Sequence, residues 1–201
     1  MSLDHDDAPV RRRPKKGLFG RFLARRDGAT SIEIALLSLP FFMIVFASLE
    51  TFVAFSAEQL LANATETMAR KIRTGEIRSS GNATVDTETF RKAFCDEIAI
   101  LMPCSPQEIK TADKLFLDVR SFAKFSDIPK TTPLVGADLD TSSFKIAPGG
   151  KRTINIVRAY YRWDIVTDLI RPYVSNIRAA DGSRQNYLMI ATAVVQNEDY
   201  P

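Results

Sequence analysis

The sequence predicts an α+β protein. A single N-terminal transmembrane helix extends into a long outer helix, followed by a second short helix and a small antiparallel sheet of three or four strands. Three observations carry that expectation. A 22-residue apolar run covers Ile34–Phe55, apolar residues then recur at helical spacing as far as Ile72, and three later segments show strand patterns. A length of 201 residues holds one ordinary domain plus an anchor, not two large domains.

The charge is unevenly placed. Residues 1–27 carry eight basic side chains (Arg11, Arg12, Arg13, Lys15, Lys16, Arg21, Arg25, Arg26) against four acids, a formal +4. The remaining 19 basic and 20 acidic residues nearly cancel, so the pI near 8.9 is mostly an N-terminal effect. A nucleic-acid partner is not expected, because such binders carry their charge on a folded face interleaved with aromatics. Here the basic run abuts an apolar helix, which points to membrane topology.

At 1.5 Å per residue the apolar run spans roughly 33 Å, enough for a hydrocarbon core of about 30 Å. A buried helix of a soluble protein is the alternative, but such helices are seldom apolar over this length. Pro40 is tolerable in a membrane helix and predicts a kink. The flank Ser56–Met68 has no basic residue and carries Glu58 and Glu66. Basic flanks stay in the cytoplasm, so the C-terminal bulk is expected on the far side. A cleaved Sec signal fits poorly, since the run exceeds the usual apolar core and no small-x-small site closes it.

At the junction the chain reads Arg25-Arg26-Asp27-Gly28-Ala29-Thr30-Ser31-Ile32-Glu33-Ile34. An acid inside a membrane helix costs about 2.5–3.5 kcal/mol at the centre and less near an edge, so Glu33 is a functional candidate. A basic leader, Gly28, the small Ala29, and Glu33 five positions after the glycine resemble the prepilin-type signal. More widely, GATSIEIALLSLPFFMIVFASLE and the ARKIRTGEI that follows resemble the TadE-like pseudopilins of tight-adherence (Flp-type) pilus systems. FRKAFCDEIAILMPC, LFLDVRSF and ATAVVQNEDYP also look like that family.

The resemblance implies cleavage by a membrane prepilin peptidase between Gly28 and Ala29. It also implies a mature anchor whose Glu33 pairs with the amino terminus of a neighbouring subunit, and a membrane acid at Glu50. Two departures argue against a major subunit: Ala29 is not aromatic, and Ile34 stands where Flp-type major pilins have tyrosine. A plain signal-anchor with incidental Gly28 and Glu33 is the alternative.

The expected boundaries are a cytoplasmic basic leader at 1–28, a transmembrane helix at 29–57 and a periplasmic domain at 58–201. Leu60, Leu61, Ala64, Met68 and Ile72 continue the helix to about Thr74, with Gly75 as its stop. Residues 76–86 read as a loop. Asp86-Thr87-Glu88 caps a second helix that ends before Pro103. Cys95 and Cys104 are the only cysteines; in an oxidising compartment such a pair usually bridges, with free buried thiols as the alternative.

Strands are expected at 114–122, 153–163 and 187–196. A short helix is expected at 164–171, stopped by Pro172, and a turn at Asp181-Gly182. Residues 126–152, with three prolines and three glycines, read as a long exposed loop or loosely ordered insert. Trp163, Tyr160 and Tyr161 are assigned to the core or a sheet face in preference to a ligand platform.

No catalytic constellation emerges. The sole histidine, His5, lies in the leader, so no metal site forms with the cysteines, and Gly149-Gly150 lacks the helix that would make it a phosphate loop. Ser79, Ser80 and Ser183 lack a histidine partner. No enzyme activity, cofactor or small-molecule substrate is expected. The expected partners are the bacterial inner membrane, the prepilin peptidase, other pilins or pseudopilins, and the machinery that assembles an adhesive pilus. Ala35, Ser38, Ala47 and Ser48 are small enough for close helix contacts. A signal-anchored periplasmic scaffold or ligand-binding domain of a secretion system is the rival expectation.

Overall fold

The computed structural model describes residues 27–79, 81, 83–168, 171–178 and 185–200; for 27–30 and 83–85 it describes the backbone alone. The leader up to residue 26 and the Asp181-Gly182 turn lie outside the described residues. The chain divides into two compact units, one ending at Phe46 and one running from Ala47 to Pro201.

Helix α1, Asp27–Arg73, has 47 residues and contains Pro40. In the first unit it exposes Ile32, Ile34, Leu36, Leu37, Phe41, Ile44 and Phe46, a surface that water does not tolerate over such a length. Phe42 packs edge-on to Phe41 at 5.5 Å and stacks with Phe46 at 6.2 Å between centroids. By length and composition, Ser31–Arg73 contains a stretch able to cross a membrane.

In the second unit α1 becomes amphipathic. Ala57, Leu61, Ala64, Met68 and Ile72 are buried, at the three-to-four-residue spacing that lines one helix face. The helix stops at Gly75, whose φ of 75° lies in the left-handed region. A Cβ there would also approach the Tyr200 ring to 2.7 Å, so both backbone and packing require glycine.

Helix α2, Ala83–Ile98, starts four residues earlier than expected, so residues 83–86 are helical and not loop. Asp86 sits within its first turn, where a negative charge favours the helix dipole. Its Phe90, Phe94 and Ile98 face the same core as α1. Helix α3, Pro106–Lys110, is capped by Ser105, whose Oγ accepts from the Glu108 amide at 3.1 Å.

The strands are β1 (Leu115–Phe122), β2 (Leu134–Val135), β3 (Asp138–Leu139), β4 (Ile146–Ala147), β5 (Ile154–Trp163), β6 (Ile177–Arg178) and β7 (Gln185–Gln196). Five of them form a mixed sheet in the order β4-β1-β5-β7-β6. The three long strands are those the sequence predicts, and they pair antiparallel. The count is higher than three or four, and the sheet is not purely antiparallel. The two-residue β6 pairs β7, and the two-residue β4 runs parallel to β1 at Val119↔Ile146. Two residues are too few for alternation to reveal.

One sheet face, with Leu115, Leu117, Val119, Val157, Ala159 and Met189, packs on α1 and α2. Part of the other is covered by the proline-rich insert, most of whose residues are exposed, with Leu139 buried as its anchor. β2 and β3 make a hairpin with Gly136 at φ 63°, and Leu139 plugs a second core with Tyr160, Ile177 and Leu188. Phe144 stacks on Tyr160 at 5.1 Å, and the Arg158 guanidinium donates to the Pro129 carbonyl. With both faces covered, β5 is buried along most of its length.

The short helix also differs. Helix α4 is Arg171–Val174, and the described residues of 164–168 are not helical. Pro172 lies inside α4 rather than ending an earlier helix, because the first turn of a helix needs no amide donor there.

Candidate functional site

In the second unit, Glu50 is the residue where the apolar stretch of α1 meets the sheet domain. The Glu50 carboxylate accepts from the Val166 amide at 2.5 Å and from the Thr167 amide at 3.1 Å. Paired N–H groups hold a carboxylate with charge-assisted bonds, so the acid has defined partners despite its apolar neighbours. The segment after β5 is thereby pinned to α1 at one height. Above it opens a cleft of about 260 Å³, lined by Glu50, Ala54, Glu58, Trp163, Val174 and Tyr187 among others. Burial, with the nearby Glu58 charge adding to it, pushes the Tyr187 phenol above its usual range, so it remains a neutral hydroxyl. Tyr161 and Trp163 pack at 6.4 Å at the same end of β5.

This end of β5 is ordered by polar bonds as well. The Asn186 amide donates to Asp164 at 2.6 Å, and Lys114 Nζ bonds the other Asp164 oxygen at 2.6 Å. That hydrogen bond raises the Lys114 ammonium above its ordinary value.

Cys95 and Cys104 are joined in a disulfide with Cα atoms 5.7 Å apart, tying α2 to the residue before the α3 cap. Next to it lies a buried ion pair that the sequence patterns do not reveal. Arg91 on α2 contacts Glu108 on α3 at 3.1 Å, both side chains nearly inaccessible. Arg91 also donates to the carbonyls of Glu108, Ile109 and Leu115, and Glu108 accepts from the amides of Asp113, Lys114 and Leu115. Desolvation pulls the Arg91 guanidinium below its ordinary value while the Glu108 charge opposes the shift. Among the described residues no three His, Cys, Asp or Glu side chains converge as a metal site requires.

In the first unit, Gly28 and Ala29 have helical backbone in the first turn of α1, and Glu33 is exposed one turn on. Glu33 and Glu50 fall in different units. Residues 28–70 match the family of TadE-like proteins.

No curated protein and no solved structure matches the chain. The TadE-like match begins at Gly28, includes Ala29, Glu33 and Glu50, and ends at Arg70, near the end of α1. Cys95, Cys104, the Arg91–Glu108 pair and the whole sheet lie beyond the TadE-like segment. The amides of Val166 and Thr167 also lie beyond it. No pattern marks them, since they are backbone groups 116 and 117 residues from Glu50.

Proposed function

We propose that this protein is a non-enzymatic pseudopilin, anchored once in the bacterial inner membrane, that supports biogenesis of an adhesive Flp/Tad-type pilus. The observation that carries this is the start of the TadE-like match at Gly28, where the charged leader gives way to the exposed apolar helix. The leader is cytoplasmic, α1 crosses the membrane, and the sheet domain stands in the periplasm. A disulfide between Cys95 and Cys104 agrees with that oxidising compartment.

A prepilin peptidase hydrolyses the Gly28–Ala29 bond and releases the +4 leader. Helical backbone at that bond must first unwind, and a glycine lowers the helix propensity there by roughly 1 kcal/mol relative to alanine. The new Ala29 ammonium is then free to pair with Glu33 of a neighbouring helix, two charges brought together in a low-dielectric setting. Lateral contact with other pilins or pseudopilins runs along the apolar half of α1, with templating rather than bond chemistry as the mechanism.

The test is mass spectrometry of the protein isolated from cells that process other prepilins. The wild type is expected to begin at Ala29, and Gly28→Leu to retain the leader. A wild-type chain carrying an intact leader would remove the maturation step and leave the anchor standing.

A further inference from the structure

Two of the most exposed apolar side chains of the second unit lie close together in sequence. Val166 is 83% exposed and Tyr173 is 89% exposed. Both belong to the non-strand stretch between β5 and β6, and Val174 beside Tyr173 is 45% exposed. Single exposed apolar residues are ordinary. Their placement here is not.

Glu50 bonds the amides of Val166 and Thr167, which sets this stretch beside the turn of α1 that exposes Leu49, Phe52, Val53 and Phe55. Glu50 lies five residues before Phe55, the end of the apolar run, so roughly 7 Å inside it along the helix axis. The stretch therefore reaches below the level where lipid-compatible helix surface ends. Its charges are partnered within it: Arg171 pairs with Asp168 at 2.6 Å and donates to the Ile165 carbonyl at 2.8 Å. A valine, a proline-started helical turn and a tyrosine at that height suit the headgroup boundary, where aromatic rings prefer to sit and amphipathic segments sink about 5–10 Å.

We propose that the stretches Ile165–Asp168 and Arg171–Val174 rest in the periplasmic leaflet of the same membrane that holds α1, with Val166 and Tyr173 inserted among the lipid headgroups. The occupant of this surface is phospholipid. It makes a second membrane contact for the domain, which holds the sheet at a set height and limits its rotation about α1. The proposal rests on the reading of α1 as a membrane anchor.

Trp163 is the only tryptophan, so a Trp163→Phe background leaves the chain dark for a reporter. In that background, three full-length variants are reconstituted singly into phosphatidylethanolamine–phosphatidylglycerol vesicles: Tyr173→Trp, Phe42→Trp and Ile100→Trp. Brominated phospholipid and aqueous acrylamide serve as quenchers. Ile100 is 82% exposed just after α2, whose Glu97 bonds Lys71, about 30 Å along α1 from Glu50. Circular dichroism and an intact Cys95–Cys104 bridge establish that each variant has folded.

The expected result is loss of emission to bromolipid, with resistance to acrylamide, for Tyr173→Trp and Phe42→Trp, and the reverse for Ile100→Trp. Acrylamide quenching of Tyr173→Trp while Phe42→Trp still responds to bromolipid would overturn the proposal and leave the anchor intact. Shielding of Tyr173→Trp from both quenchers would mean a protein partner and would equally overturn it. Failure of Phe42→Trp to respond to bromolipid would remove the anchor, and the proposal with it.

Discussion

Glu108→Ala removes an acceptor shared by α2 and the chain leading into β1. The wild-type carboxylate is almost fully buried and answers Arg91 at 3.1 Å together with three amides that lead into β1. Truncation leaves a buried guanidinium without its counter-charge and the amides of Asp113, Lys114 and Leu115 without an acceptor. Breaking a buried pair from one side costs about 3–5 kcal/mol. The carbonyls that Arg91 keeps pull the estimate to the lower end, so about 3 kcal/mol is expected.

For an unfolding slope of about 1–3 kcal/mol per molar urea, that corresponds to a midpoint lower by roughly 1–3 M. Urea titration of the full chain in detergent, followed by the emission of Trp163 on β5, reads this directly. The double variant Arg91→Met/Glu108→Leu recovers only part of the loss, because an apolar pair replaces the ions but not the acceptor for the β1 amides. A shift below about 0.5 M for Glu108→Ala, or full recovery in the double variant, would refute the assignment of Glu108 as the joint between α2, α3 and β1.

Two further outcomes follow from the same structure. Reducing the Cys95–Cys104 bridge, which closes a separation of nine residues, is expected to lower stability by about 2.5 kcal/mol in the chain-entropy model, read as a reductant-dependent drop in the urea midpoint. Glu50→Ala is expected to speed hydrogen exchange at the Val166 and Thr167 amides by roughly tenfold, or ~1.4 kcal/mol, with β5 and β7 amides unchanged; unaltered exchange at those two amides would remove the pin between α1 and this stretch.

The apolar run, the helical spacing from Leu61 to Ile72, Gly75 and the three long strands were legible in the sequence because each depends on neighbours a few residues away. Periodicity records which face of an element is dry, and an element needs several residues to show a period. Charge, glycine and acid stand within one short motif around Gly28, and the TadE-like match starts at that glycine. Composition also drew attention to Glu50 as an acid in an apolar helix, without saying what it held.

What only the tertiary structure decided are the contacts between distant segments. The proline-rich insert is held against a sheet face where Leu139 and Phe144 find Tyr160, a contact its composition does not mark. Arg91 and Glu108 look like ordinary surface charges until α2 and α3 fold together. Glu50 bonds backbone amides more than a hundred residues away, and an amide is the same at every position in a sequence. Local patterns fix elements; a buried charge finds its partner only where folding has removed water from both.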